Sequence, residues 1–306
     1  MRESHFKLLY LIFLVLFTQM IPSFAQADVQ SIYGTDSRQD LFEVTHPEYV
    51  KWAESTVALM TADMVRHNSS GRIDFLSTPL NKQVKLCPGE RFSDQPVTPF
   101  CSGSLIARNL VLTAGHCVYD QAACEAIKFV FDYGIKDKEK YPTSTDESHV
   151  FGCKTLLFKT PLDETSDSNV DYALIELDRD VTDRTPLKLA SNRTKTRIAN
   201  GTPLVLIGNP LGLPTKIDAG KSVRDNSGKG FFIANVDSFG GNSGSPVLNL
   251  KSGEIEGVLV SGEEDFEKTN AGCFVSKVCT EDGCIGETVT KVANILNQLP
   301  KLGLSL

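Results

Sequence analysis

The sequence predicts an all-β fold, a sandwich or barrel, and three observations carry that expectation. From Ser55 onward it runs as short apolar segments: "STVALM", "NLVLTA", "KFVFDY", "YALIEL", "PLVLIG", "FFIANV", "SPVLNL" and "GVLVSG". Each is bounded by Gly, Pro, Asn or Asp, the residues that turn a chain. Only one stretch has helical period, so alternating strand–helix units are excluded.

In chain order, residues 1–27 read as a secretory signal peptide. Arg2 and Lys7 precede the apolar run "LLYLIFLVLFTQMI", and the small residues Ala25 and Ala27 follow. That is the order of n-region, h-region and cleavage site. The run is too short and too early for a membrane span. The mature product is therefore expected to be secreted, to the periplasm or outside the cell, with no membrane contact. Residues 28–54 are polar and aperiodic, an N-terminal arm or propeptide. Residues 55–306 form one body. Within it, the charged, Thr/Ser-rich region from Asp137 to Thr165 reads as a loop. In "TVTKVANILNQLP", Val289, Val292, Leu296 and Leu299 share a helical face and Pro300 stops the run, giving a C-terminal α-helix.

Composition narrows the function. The 306 residues carry 31 basic and 38 acidic side chains, a formal charge of −7, which disfavours nucleic acid as a partner. The eight cysteines are even in number and fit disulfides in an oxidising compartment. No C-x-x-C pair occurs and histidine is scarce, so no metal or other cofactor is expected. "NSS" at Asn68 and "NRT" at Asn192 are glycosylation sequons if the source is eukaryotic.

"DSFGGNSGSPV", residues 237–247, holds Ser243 between glycines, the setting of either a turn serine or a nucleophile. A nucleophilic serine needs a base, normally histidine. Of the five histidines, none follows His149, which excludes the Ser–Asp–His order of α/β-hydrolases. His5 leaves with the leader, and His46, His67 and His149 lie in polar, exposed-looking stretches. His116 instead follows an apolar strand in "CSGSLIARNLVLTAGHC", between Cys101 and Cys117. A Cys101–Cys117 disulfide would fix the backbone beside the imidazole, where small misplacements cost rate. "VDYALIELD" puts Asp171 at the mouth of an apolar strand, where a carboxylate implies a partner. Asp167, Asp178 and Asp180 sit in more polar company.

"TAGHC", "DYALIEL" and "GNSGSPV", in that order, resemble the histidine, aspartate and serine motifs of trypsin-like serine proteases. The resemblance covers roughly Ser55 to Pro300 and implies two packed six-stranded antiparallel β-barrels with a terminal helix. It makes residues 55–306 a protease domain acting on protein or peptide substrates, as a monomer. Ser243 becomes the nucleophile, His116 the general base and Asp171 the orienting carboxylate. The N–H groups of Gly241 and Ser243 become the oxyanion hole. "GGNSGSP", "LIGNPLGLP" and the opening "IYGTDSR" are similar to bacterial glutamyl endopeptidases and HtrA-type proteases. Asn242 stands where pancreatic-type enzymes carry the aspartate that receives a new N-terminal ammonium, so that switch is not expected.

The resemblance puts the floor of the specificity pocket at Asp237, followed by Ser238, which favours Arg or Lys at the cleaved position. Ser261, Gly262 and Glu263 fall on the substrate-pairing strand, with Glu263 at the pocket rim. Two alternatives stand: glutamyl specificity, or a non-catalytic homologue that acts as a binding module. Phe239 replaces a family cysteine, so the pairing of Cys87, Cys124, Cys153, Cys273, Cys279 and Cys284 stays open among 15 arrangements.

Overall fold

The computed structural model describes residues 31–138, 140–160, 169–191 and 198–305. The signal peptide, the first residues of the arm, Asp167 and the Asn192 sequon lie outside these residues.

The first barrel is built from β1 (Thr56–Thr61), β2 (Cys101–Ala107), β3 (Leu110–Thr113), β4 (Ile127–Val130), β5 (Val150–Lys159) and β6 (Ala173–Leu177). Around it the order is β4-β5-β6-β3-β2-β1, closed by pairing of β1 with β4. The second contains β7 (Pro203–Gly208), β8 (Lys216–Asp225), β9 (Phe231–Ala234), β10 (Pro246–Asn249), β11 (Ile255–Ser261) and β12 (Glu287–Lys291). Its order is β7-β10-β11-β12-β9-β8, closed by β7 against β8. All these pairings are antiparallel, so the fold is all-β with two closed six-stranded barrels, and a short helix, Val292–Gln298, follows β12.

The strands read as continuous apolar runs because both of their faces are buried. In β3, Val111 points into the first barrel with Val57, Leu59 and Phe129. Leu110 and Leu112 point the other way, into a core shared with Val205, Ile207 and Leu248 of the second barrel. The period-2 alternation of a strand thus feeds two cores at once. A third cluster, including Leu204, Phe232, Leu259 and Val289, fills the second barrel.

Two expectations need correction. The region from Asp137 to Thr165 contains the ten-residue strand β5. Its exposed Lys154 and half-buried flanks give it a polar texture, and two register irregularities against β6 break its alternation. Val289 belongs to β12 rather than to the helix, and the buried helical residues are Val292 and Ile295, with Leu299 in the 3-10 turn Leu299–Leu302 that carries the chain past Pro300. Pairing with β9 captures "ETVTK" as a strand because the partner's edge satisfies its backbone.

The arm is strapped to the second barrel. Gln39–Asp40 pairs with β8, and Ile32–Tyr33 pairs in parallel with Val278–Cys279. Four disulfides join Cys87–Cys273, Cys101–Cys117, Cys124–Cys153 and Cys279–Cys284. Among the described residues no helix is long and apolar enough to cross a membrane.

Candidate active site

β3 and β6 are neighbours in register at Thr113 and Ala173. The turn leaving β3 and the chain entering β6 therefore lie at one end of the first barrel. His116 occupies that turn, Gly115–Cys117, and Asp171 stands just ahead of β6. Their side chains meet, with His116 Nδ1 2.5 Å from Asp171 Oδ2. The Thr160 hydroxyl donates to Oδ1 at 3.2 Å, and the His116 main-chain N–H reaches Oδ2 at 3.4 Å. Across the barrel junction, the Asp171 N–H donates to the Thr290 hydroxyl at 2.9 Å. Gly115 must be glycine, since a Cβ there would lie 2.2 Å from Asp171 Oδ1. Burial alone would raise the Asp171 carboxyl, but the His116 hydrogen bond and charge outweigh it and hold it below the usual range.

Ser243 comes from the other barrel, on the turn between β9 and β10. That turn is pressed flat against the first barrel. Gly244, at φ 87°, would place a Cβ 2.1 Å from the Ser102 carbonyl oxygen and 2.2 Å from Thr113 Oγ1. Ser102 fastens the turn in place. Its N–H donates to the Ser243 carbonyl at 2.9 Å, and its hydroxyl donates to the Gly241 carbonyl at 3.0 Å. Cys117 Sγ lies 3.7 Å from the same Ser243 carbonyl. Both sulfurs of Cys101–Cys117 are within 4.8 Å of an imidazole nitrogen of His116. The structure thus brings the imidazole, its carboxylate and the Ser243 segment together where the barrels meet. The Ser243 hydroxyl donates to the Val260 carbonyl at 3.2 Å. Because the two sulfurs are bonded to each other, this grouping of Cys101, His116 and Cys117 is not a metal site.

Gly241, at φ 90°, has no room for a side chain beside the Asn209 carbonyl, 2.9 Å from where its Cβ would be. The preceding Gly240 N–H is held by both carboxylate oxygens of Asp265, at 3.1 and 3.2 Å. Asn242 is satisfied by neutral partners, donating to Ser238 Oγ at 2.9 Å. His46 and His67 are exposed as expected, whereas His149 is half-buried, with Nδ1 3.5 Å from Asp132 Oδ2. Asp178 and Asp180 pair with Arg179 and Arg108.

Asp237 is fully buried, and its carboxylate accepts from the Tyr33 N–H at 2.7 Å, the Ser37 N–H at 2.8 Å and the Ser37 hydroxyl at 3.0 Å. Lys221 Nζ adds an ion pair at 3.2 Å. The carboxylate expected at the floor of the pocket is thus engaged by groups of the chain itself. Its neighbour Asp218, which accepts from the Asp237 N–H at 2.7 Å, is pushed up to about 7 by burial and then by repulsion from Asp237. Glu263 is likewise engaged, with Lys277 at 2.9 Å and the Ile285 N–H at 2.8 Å. Ser31 sits among the expected pocket residues: Ser238 donates its N–H to the Ser31 carbonyl at 3.1 Å, and the Ser31 hydroxyl donates to the Glu264 carbonyl at 3.0 Å. Gly262 leaves room for Glu287, whose two carboxylate oxygens would each lie 2.2 Å from a Cβ at 262. Ser261 is half-buried on β11 beside Thr288.

Sequence reasoning missed Thr160, Ser102, Asp265, Lys221 and Glu287. Only Glu287 left a signal, an acid opening an apolar strand as Asp171 does.

A family model described as a trypsin-like peptidase domain matches residues 101–258, which span both Cys101 and the Ser243 turn. The chain belongs to the trypsin-like peptidase family. This trypsin-like peptidase shares its fold with solved structures of low identity. The Vibrio cholerae VesB protease is 16% identical, with a TM-score of 0.50 over 87% of this chain and 67% of that one. A scabies mite inactivated protease paralogue is 19% identical, with a TM-score of 0.50 over 82% and 95%. A Glu endopeptidase solved with MPD is 17% identical, with a TM-score of 0.51 over 89% and 98%. No curated protein matches the chain.

Proposed function

We propose that the chain is an exported serine endopeptidase that hydrolyses peptide bonds through an acyl-enzyme. The observation that carries this is the 2.5 Å contact between His116 Nδ1 and Asp171 Oδ2, at the barrel end to which Ser102 fastens the Ser243 turn. Asp171 holds the imidazole with Nδ1 protonated, so that Nε2 takes the Ser243 proton as Oγ attacks the scissile carbonyl. The N–H groups of Gly241 and Ser243 stabilise the tetrahedral oxyanion, and Asp265 positions that turn through Gly240. His116 then protonates the leaving amine, and water repeats the sequence to release the acid. The four disulfides support a secreted protein, and the substrates are proteins or peptides. The scabies mite structure is of an inactivated paralogue, so the fold alone carries no activity and the side chains must.

For the cleaved position, Asp237 and Glu263 are engaged and Ser31 occupies the space between Ser238 and Glu264. With Asp237 and Glu263 engaged, neither is available as a counter-charge to Arg or Lys, and a small uncharged side chain is the preferred residue. Fluorogenic peptides differing only in that residue test this. Alanine is expected to exceed each charged residue in kcat/KM by about tenfold or more. Faster cleavage after Arg or Lys would restore Asp237 as the selector, and faster cleavage after Glu would establish glutamyl specificity.

A further inference from the structure

The turn that carries the Gly241 N–H lies between β9 and β10 and holds no cysteine, so no disulfide ties it down. Its two successive glycines, Gly240 and Gly241, leave the main chain free to rotate unless the residues around them are fixed. On the Gly241 side the Ser102 hydroxyl does this. The peptide between the two glycines is held at its carbonyl, which accepts from the Leu211 N–H at 2.5 Å. A trans peptide points its C=O and N–H in opposite directions, so that bond also aims the Gly241 N–H away from Leu211.

The chain enters this turn through Phe239, which is buried. Its ring packs on Phe266, with centroids 5.2 Å apart, and on the guanidinium of Arg38, whose Cζ lies 4.1 Å from the centroid. Arg38 belongs to the arm and is itself buried. Its Nε and Nη2 donate to the two oxygens of Asp36 as a fork, both at 2.9 Å. Its Nη1 has no hydrogen-bond partner among the described residues, and the faces of Phe239 and, at 5.4 Å, Phe92 lie against the cation.

The arm holds this guanidinium in place. Arg91 grips the Arg38 carbonyl at 2.7 Å and the Asp36 carboxylate at 3.1 Å, and the next residues, Gln39–Asp40, pair with β8. Burial would raise the Asp36 carboxyl, but Arg38 and Arg91 outweigh it and hold it below the usual range, so the pair is ionised. A buried ion pair is a poor source of stability, since apolar side chains of similar size fill such sites as well. A cation over a ring adds what an apolar side chain does not, an attraction that depends on where the ring lies.

We propose that Arg38 is a positioning residue for the oxyanion turn: through the Phe239 ring it fixes the entry to Gly240 and so the aim of the Gly241 N–H. The turn is then clamped from three directions, by the arm at Phe239, by Asp265 at the Gly240 N–H and by Ser102 at the Gly241 carbonyl. Treating that N–H as part of an oxyanion hole rests on the peptidase reading above; the clamp itself does not.

The test compares peptide hydrolysis and amide hydrogen exchange in the full chain and in three variants: Arg38→Met, Phe239→Leu and the two combined. Arg38→Met keeps the length of the side chain and leaves Asp36 paired with Arg91. It is expected to lower kcat about ten- to a hundredfold, less than the loss of a whole oxyanion donor, with KM within about twofold. General loosening of the arm would move KM as well. Amides across Phe239–Asn242 are expected to exchange about tenfold faster while those of β8 are unchanged. Phe239→Leu breaks the same contact from its other end and is expected to give the same pattern. The double variant is expected to stay within about twofold of Phe239→Leu alone, because Arg38 acts through that ring. Losses that multiply in the double variant, a loss carried by KM, or unchanged exchange across the turn in Arg38→Met would overturn the proposal. Exchange reports the turn without any catalysis, so a chain whose turn loosens in Arg38→Met but which cleaves nothing refutes the peptidase reading alone.

Discussion

Ser243→Ala is expected to lower kcat about a million-fold while leaving Tm within a degree or so. The reasoning starts from what the substitution removes. Ser243 is 1% exposed, and its hydroxyl donates to the Val260 carbonyl at 3.2 Å. The turn is also held by main chain and by its neighbours: the Ser102 N–H on the Ser243 carbonyl, the Ser102 hydroxyl on the Gly241 carbonyl, and the tight fit of Gly244. Alanine keeps all of these. Without the oxygen no acyl-enzyme forms, and binding plus the oxyanion site leave only about a thousand-fold acceleration over water. Peptide hydrolysis and thermal melts on the same preparation separate the two effects, and normal turnover with a normal Tm would refute the nucleophile.

Asp171→Asn is expected to cost about ten-thousand-fold in kcat at neutral pH. Asp171 Oδ2 faces His116 Nδ1 and Oδ1 receives the Thr160 hydroxyl, so both oxygens are acceptors in the native site. An amide can serve only one of them as an acceptor. With its NH2 toward the imidazole, Nδ1 becomes the acceptor and Nε2 carries the proton, the wrong tautomer for a base. With its NH2 toward Thr160, the tautomer survives but the charge that stabilises imidazolium is gone. The same carboxyl links to stability. Its folded pKa is depressed, so its contribution is present above the unfolded value of about 3.9 and is lost as pH falls through the lower folded value. Asp171→Asn should therefore melt below the wild type at pH 7, and the gap should close below about pH 4. A gap independent of pH would mean that the carboxylate is not paired as described.

The candidate site was legible where close packing imposes local sequence. Gly115 is dictated by Asp171, Gly244 by Ser102 and Thr113, and Gly241 by the Asn209 carbonyl, so close packing wrote glycines around His116 and Ser243. The strands β3, β7 and β11 were legible for a similar reason, since residues feeding cores on both faces are apolar throughout. What the sequence concealed lies in long-range contacts. Asp237 reads as a pocket floor, but Lys221, Tyr33 and Ser37 reach it across more than 15 residues of chain and consume its charge. β5 was hidden because its exposed side is polar and its register against β6 slips twice. Val289 keeps helical spacing with Val292 by coincidence, and pairing with Phe232 of β9 and Leu259 of β11 decides for strand.

The most direct test of the site is covalent labelling of the purified protein with a fluorophosphonate, read by intact mass and peptide mapping. One adduct per chain is expected, located on Ser243, with a labelling rate about a hundredfold or more lower in His116→Ala. An adduct on another residue, no adduct at all, or equal labelling of His116→Ala would contradict the coupling of residue 116 to residue 243.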